Sequence, residues 1–379
     1  MKTIQVTLVL AWVLAAAVTG LRVSRQEPAP EPQMHRCGVW ITLADLPNPV
    51  QEHGVAATND DMYVIGGVPA NKSIRYSPKN VTMAYNFDSK SWRQVADLPF
   101  AIAKPNVAGV NGAIYVLGGF THSGSEMDEF WNYTTTALVY HPEANRWTVL
   151  SPAIPDREAR GAAAVTIHGS QIILAGGMKS VNFTMGAHQQ SMSRVSAYDT
   201  HTNAWKQIRS LPEPRDHAGA FVNKDSKLFV LGGHEDGREN VKNNTWVLDL
   251  KVWNSEWINM KDMPRPRADF VVGDHMHKII LFGGVGDTKS PTSIYAAVDA
   301  YHVKRDEWKM LRPMPIPRHG MGAVSFRRNT FMAGGGLYDG GEHPGTQAEL
   351  FSLDSSSIPP ANFSDTNLPD DVPHGCFVY

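Results

Sequence analysis

A chain of 379 residues can bury a sizeable core, and 35 Lys plus Arg against 37 Asp plus Glu leave a formal net charge of −2. That near-balance, with no local run of basic residues, excludes the electrostatic footprint of a nucleic-acid binder. With 32 glycines and 25 prolines the chain is rich in turns, and its 2 cysteines exclude both a Cys-rich zinc site and a disulfide-dense mini-domain.

The N-terminal segment reads as an address. Lys2 supplies a positive charge, Ile4 to Val18 is an apolar run, and small residues lead to Gly20, which is the build of a secretory signal peptide covering residues 1–20. The run of 15 residues is shorter than the roughly 20 that a bilayer span needs, so no membrane anchor is expected. Residues 21–36 form a Pro-rich spacer. Six Asn-x-Ser/Thr sequons, at Asn71, Asn80, Asn132, Asn182, Asn243 and Asn362, fit a secreted, N-glycosylated protein.

An internal repeat follows. A β-branched or aromatic run ending in Gly-Gly occurs six times, with first glycines at Gly66, Gly118, Gly176, Gly232, Gly283 and Gly334. The spacings are 52, 58, 56, 51 and 51 residues. Trp92, Trp147, Trp205, Trp257 and Trp308 follow the first five copies by 25 to 29 residues, and a Leu-Pro or Met-Pro comes after four of them. The glycine pair suits a strand end where neighbouring units crowd, and the tryptophans, with tyrosines between such as Tyr198 and Tyr301, are large fillers with polar tips.

This pattern resembles the kelch repeat, which builds one four-stranded blade of a β-propeller, and it covers roughly residues 37 to 354. The implied fold is all-β, a six-bladed kelch propeller spanning residues 37–358, since no single repeat can bury both its faces. The sixth copy lacks its tryptophan, and Trp40 precedes Trp92 by one period of 52 residues. The N-terminal strand is therefore expected to complete the last blade and close the ring, leaving a C-terminal tail of residues 359–379. Cys37 lies beside that strand and Cys376 in the tail. In an oxidising compartment the two are expected to pair across the seam, the alternative being two unpaired thiols.

Motifs for cofactor chemistry are missing. Neither Gly283 to Ser290 nor Gly334-Gly335-Gly336 has P-loop or dinucleotide spacing, and there is no Gly-x-Ser-x-Gly elbow or His-Glu-x-x-His pair. Secreted kelch propellers include copper radical oxidases similar to galactose oxidase, which need a tyrosine crosslinked to a cysteine. Both cysteines here sit at the chain ends, so no metal and no cofactor is expected.

In a propeller the innermost strand of each blade lines a central channel, and the kelch resemblance implies that this is the strand just before the double glycine. Counting back to the start of that strand gives Arg160, Arg215, Arg267 and Arg318, with Glu52 and His53, Lys104, Asp216 and His217, Asp269, and His319 beside them. The loops after the double glycine add His122, His234, Asp287 and Tyr338 on the same mouth. The arginines, with Lys104, His234, Asp287 and Tyr338, are candidate binders of an anionic or polyoxygenated small molecule. The alternative is that each arginine holds carbonyls of the blades. Glu52, His217, Asp269 and His319 are the candidate proton-transfer groups.

The chain also resembles secreted fungal kelch proteins, some encoded in polyketide pathways such as that of terrein, and shares its architecture with a six-bladed sialic-acid mutarotase. These resemblances imply a cofactor-free isomerase or cyclase tailoring a secondary metabolite. The alternative is a non-catalytic extracellular propeller that binds carbohydrate or protein.

Overall fold

The computed structural model describes residues 37–69, 77–122, 130–182, 190–276, 278–287, 289–338 and 343–353. The signal peptide, the spacer, Asn71, Asn362, Cys376 and the tail lie outside these residues, as does the side chain of Asn182. Among the described residues the fold is all-β, with one short 3-10 turn at Pro142–Ala144 and no α-helix.

The strands build six four-stranded antiparallel sheets among the described residues. Sheet I runs Gly54–Ala57, Asp61–Ile65, Thr82–Asn86 and Ser91–Gln94, and sheet II runs Val107–Val110, Ala113–Leu117, Ala137–His141 and Arg146–Val149. Sheet III comprises Ala164–His168, Gln171–Ala175, Val195–Asp199 and Ala204–Ile208; sheet IV comprises Gly219–Val222, Lys227–Leu231, Thr245–Asp249 and Ile258–Met260. Sheet V follows with Val271–His275, Lys278–Phe282, Val298–His302 and Glu307–Met310. Sheet VI takes Gly322–Phe326, Asn329–Ala333 and Ala348–Ser352, and its outer strand is Val39–Thr42 from the other end of the chain. Trp40 pairs with Phe351 in that ladder.

Hydrophobicity grades each strand's position. The second strands are buried on both faces and mostly apolar after a polar start, as in Lys278–Phe282 and Asn329–Ala333. The outer strands Ser91–Gln94 and Glu307–Met310 are polar and largely exposed, which blunts their unpaired edges. Between sheets, indole N–H groups tie one outer strand to the next: Trp92 donates to the Ala44 carbonyl at 2.7 Å, Trp147 to Ala96 at 2.8 Å and Trp308 to Lys261 at 3.0 Å.

The double glycine is explained by this packing. The N–H of Gly177 donates to the Arg215 carbonyl of the following sheet at 2.7 Å, and a Cβ on Gly176, whose φ is +65°, would stand 2.2 Å from that oxygen. The same bond recurs from Gly67 to Ile102, Gly119 to Arg160, Gly233 to Arg267, Gly284 to Arg318 and Gly335 to Val50, at 2.8 to 3.0 Å.

One expectation is corrected. Two strands precede each double glycine, and the channel is lined by the earlier one, not by the strand that runs into the glycines. Val55, Val107, Val165, Ala220, Val272 and Ala323 of those first strands face a cavity of about 340 Å³. Crowding at the centre selects small residues there; a Cβ on Gly322 would lie 1.8 Å from the Val55 side chain.

Candidate functional site

Just before each first strand the chain makes the same left-handed turn. Glu52, Lys104, Ala162, His217, Asp269 and Gly320 occupy equivalent positions, with φ between 45° and 56°. Five are not glycine, and each such residue costs about 1–2 kcal/mol in this conformation, so the surrounding structure must impose it. Main-chain hydrogen bonds do so. Lys104 N–H donates to the Glu52 carbonyl at 2.8 Å, Ala162 to Lys104 at 3.2 Å, His217 to Ala162 at 3.0 Å and Asp269 to His217 at 3.1 Å. Gly320 then donates to Asp269 at 2.9 Å and Glu52 to Gly320 at 2.9 Å, so the series returns to the residue it began with.

The turns aim their side chains at one small cavity of about 130 Å³, lined among others by Glu52, His53, Lys104, His217 and Asp269. The Lys104 ammonium lies 2.7 Å from Glu52 Oε2 and 3.8 Å from Asp269 Oδ1, and it also contacts His217 Nε2. An ammonium can only donate, so His217 Nε2 accepts and Nδ1 carries the proton, which goes to Asp216 Oδ1. Asp216 in turn accepts from the Ser191 hydroxyl, and Ser191 is held by Asp236 through bonds of 2.8 and 2.9 Å. The result is a continuous relay, Ser191–Asp216–His217–Lys104–Glu52, with Asp269 Oδ1 3.5 Å from His217 Nε2.

Burial alone would raise the carboxyls of Asp216 and Asp269. The neighbouring His217 and His234 at Asp216, and His217, the Lys104 ammonium and His319 at Asp269, oppose burial and hold both below the usual carboxylate range. His53 goes the other way: burial lowers its imidazole to about 4, against an opposing pull from Glu52. The lining thus presents ionised carboxylates, one ammonium and one imidazole braced by Asp216.

The candidate residues separate clearly. Glu52, Lys104, His217 and Asp269 converge. His319, fully buried, stands one residue before the Gly320 turn, with Nδ1 3.9 Å from Asp269 Oδ2 and Nε2 3.0 Å from the Tyr338 carbonyl. His234 packs behind the relay, 3.4 Å from Asp216. Asp287 instead accepts from the Lys289 N–H in its own loop, Tyr338 is half-exposed against His343, and His122 belongs to a separate three-stranded sheet.

The four arginines do not reach the mouth. Arg160, Arg215, Arg267 and Arg318 are each 0% exposed. Arg267 bonds the Gly283 carbonyl and Asp299; Arg318 bonds the Gly334 and Gln347 carbonyls and Glu349. Arg160 bonds the Glu158 and Leu174 carbonyls, while Arg215 bonds Glu213 and Asn244 and lies over the Trp246 ring. They bind their own sheets together, two residues before the turn that carries the cavity side chains. Ser191 and Asp236, by contrast, carry no signal in the sequence, because only the fold brings their loops to Asp216.

Two donor sets have metal-like composition: Asp216, His217 and His234, and Glu52, Asp269 and His319, each with donor atoms within 4.8 Å of one another. In the second set the Lys104 ammonium already provides the positive charge between the carboxylates. In the first, both Asp216 oxygens accept hydrogen bonds.

Comparison with known proteins gives the same architecture. The KLHDC2/KLHL20/DRC7 Kelch-repeats domain matches residues 179–358, and the Kelch motif matches residues 49–99 and 104–153. Kelch-like protein terF of Aspergillus terreus is 33% identical over 336 residues, covering 86% of this chain and 71% of that protein. Alpha-scruin of Limulus polyphemus is 25% identical over 291 residues, and human Kelch repeat and BTB domain-containing protein 12 is 27% identical over 213 residues. The chain spans only 30% and 33% of those two proteins' own lengths. The solved structure of YjhT superposes with a TM-score of 0.67 at 16% identity, covering 83% of this chain and 97% of the other. With the double-glycine packing, the repeated sheets and an identity of 33% across most of its length, this chain belongs to the kelch-repeat family.

Proposed function

We propose that this protein is a secreted, N-glycosylated six-bladed propeller that binds a small polyoxygenated molecule at the Glu52–Lys104–His217–Asp269 cluster and moves protons on it without a cofactor. The observation that carries this reading is the Lys104 ammonium held against Glu52, Asp269 and His217, one side chain from each of four repeats. Ala162 and Gly320, the remaining two ring positions, leave room beside it. His217, braced by Asp216, is the base. When the substrate's carbonyl oxygen takes over the Lys104 ammonium, Nε2 is freed to take a proton from the adjacent carbon while the ammonium stabilises the enolate oxygen. Return of that proton at another carbon completes an isomerisation, and addition of the enolate carbon to a second carbonyl, whose oxygen takes the proton, closes a ring.

The ring itself is part of the proposal. The cycle of six main-chain bonds and the pairing of Val39–Thr42 with Ala348–Ser352 support six blades closed by the N-terminal strand. Cys37, buried beside that strand, and Cys376 form the disulfide at the seam. Exposed Asn132 and half-buried Asn80 and Asn243 are glycan sites. The relationship to a fungal kelch-like protein supports tailoring of a polyketide as the setting.

The test is deletion of the gene in its native host, beside strains producing Lys104→Met and His217→Gln, with the culture's small molecules profiled. All three strains are expected to lose the same product and accumulate the same isomeric or uncyclised precursor. An unchanged profile overturns the enzymatic reading.

A further inference from the structure

One repeat breaks its own pattern, on the perimeter between sheets III and IV. In four sheets a tyrosine of the third strand packs on the outer-strand tryptophan, with ring centroids 5.1 Å apart for Tyr85–Trp92 and Tyr140–Trp147, 5.3 Å for Tyr198–Trp205 and 4.8 Å for Tyr301–Trp308. Sheet IV has Leu248 at that position, and Trp257 follows it by nine residues where the four tyrosines are followed by seven. Where the phenol ring is missing and the hairpin is longer, a cleft of about 650 Å³ opens between the sheets.

The hairpin's extra length presents Trp253, which is 88% exposed. A tryptophan left in water at a hairpin tip gains nothing for the fold, and this one borders a cleft within the size range of small-ligand sites. Its loop is pinned: Arg209 donates to Asn254 Oδ1 at 2.8 Å and pairs with Glu256 at 2.7 Å. The other acid of the hairpin, Asp249, is paired with Lys227 at 2.6 Å. Lys206 and Lys251 line the cleft and form no salt bridge among the described residues, and Lys206 Nζ stands 6.0 Å from the Trp253 ring centroid.

We propose that this cleft is a second binding site, for an anionic carbohydrate carrying carboxylate or sulfate groups. The open indole offers a flat apolar plate for the C–H face of a sugar ring. Gln171 and Gln207 in the lining meet hydroxyls, and the two ammoniums meet the acid groups. The site is independent of the channel mouth, since none of its residues touches Glu52, Lys104, His217 or Asp269.

Isothermal titration calorimetry on the full-length protein tests it, with tetragalacturonate, a heparin-derived tetrasaccharide and neutral maltotetraose as ligands. One or both acidic sugars are expected to bind, the responder naming the acid group, with maltotetraose at least about tenfold weaker. Trp253→Ala should weaken binding about tenfold or more, and Lys206→Gln with Lys251→Gln should erase the preference for the acidic sugar. Leu248→Tyr, which restores the repeat's own filler, should close the cleft and abolish binding while the melting temperature holds. The proposal fails if neither acidic sugar binds, or if binding survives Trp253→Ala. It also fails if poly-glutamate binds with the same residue dependence, which would make the cleft an acidic-protein dock.

Discussion

The main-chain N–H of Lys104 donates to the Glu52 carbonyl at 2.8 Å, and the Lys104 ammonium meets the Glu52 carboxylate at 2.7 Å. Two neighbouring repeats are therefore joined twice by one residue pair, once by a bond that any residue makes and once by a bond that only a cation makes.

Lys104→Met keeps the first bond and deletes the second. Glu52 and Asp269 then face each other with little solvent and no counter-charge, which should destabilise the protein by about 3 kcal/mol at pH 7. Without the Lys104 ammonium the Asp269 carboxyl must titrate higher than in the wild type, so the variant's deficit should shrink as the pH is lowered to 5. Urea denaturation at both pH values checks this. An equal deficit at the two would mean that packing, not charge, was lost.

His53 sets a different pH window. Its folded imidazole titrates at about 4 because it is buried, against 6.5 for an unperturbed histidine. The unfolded chain therefore binds a proton below pH 6.5 that the folded chain refuses until about 4, and stability falls across that interval by about 3 kcal/mol. Asp216 and Asp269 are depressed groups, so their contribution is complete above the ordinary carboxylate range and is lost only below about pH 4. Denaturation midpoints from pH 7 to 4.5 should slope for the wild type and flatten for His53→Gln; matching slopes would refute the assignment.

What could be read before the structure follows from what each residue does sterically. The double glycines and tryptophans were legible because close approach between sheets permits little else, and counting back from them reached Glu52, Lys104, His217 and Asp269. The arginines were legible as positions but not as directions. A side chain two residues before a left-handed turn points into its own sheet, and nothing in the spacing reveals that turn in residues such as Glu52 or Lys104, which seldom adopt it. The bond from Ser191 to Asp216 joins loops 25 residues apart and follows no period at all.

The arginine positions predict stability, not binding. Arg267 and Asp299 are both at most 1% exposed and bonded to each other. Arg267→Met leaves buried Asp299 with only the longer Arg265 contact at 3.4 Å and should cost about 3 kcal/mol, while adding Asp299→Leu should restore much of the loss by removing the under-compensated charge. Chemical denaturation of the two variants measures this. A double variant no better than the single one would show that Asp299 tolerates isolation and that the pair is not what the guanidinium is for.

The seam at Trp40 gives the sharpest test of architecture. The indole packs 4.9 Å from the Phe351 ring and 5.9 Å from Phe282, and its N–H donates to the Arg312 carbonyl at 3.4 Å. Trp40→Ala should cost about 3–5 kcal/mol through the cavity it leaves. Where the loss appears distinguishes a sealed ring from an ornamental edge strand. The bonds from Glu52 to Gly320 and from Gly335 to Val50 both cross between the last sheet and the first. If the outer strand helps hold that junction, hydrogen exchange in Trp40→Ala should accelerate at the Glu52 and Gly335 amides beyond the global loss, together with those of Ala348–Ser352. If only the Ala348–Ser352 amides speed up, the strand is a local patch and the junction is held from the inside, by the six-membered cycle of turns alone.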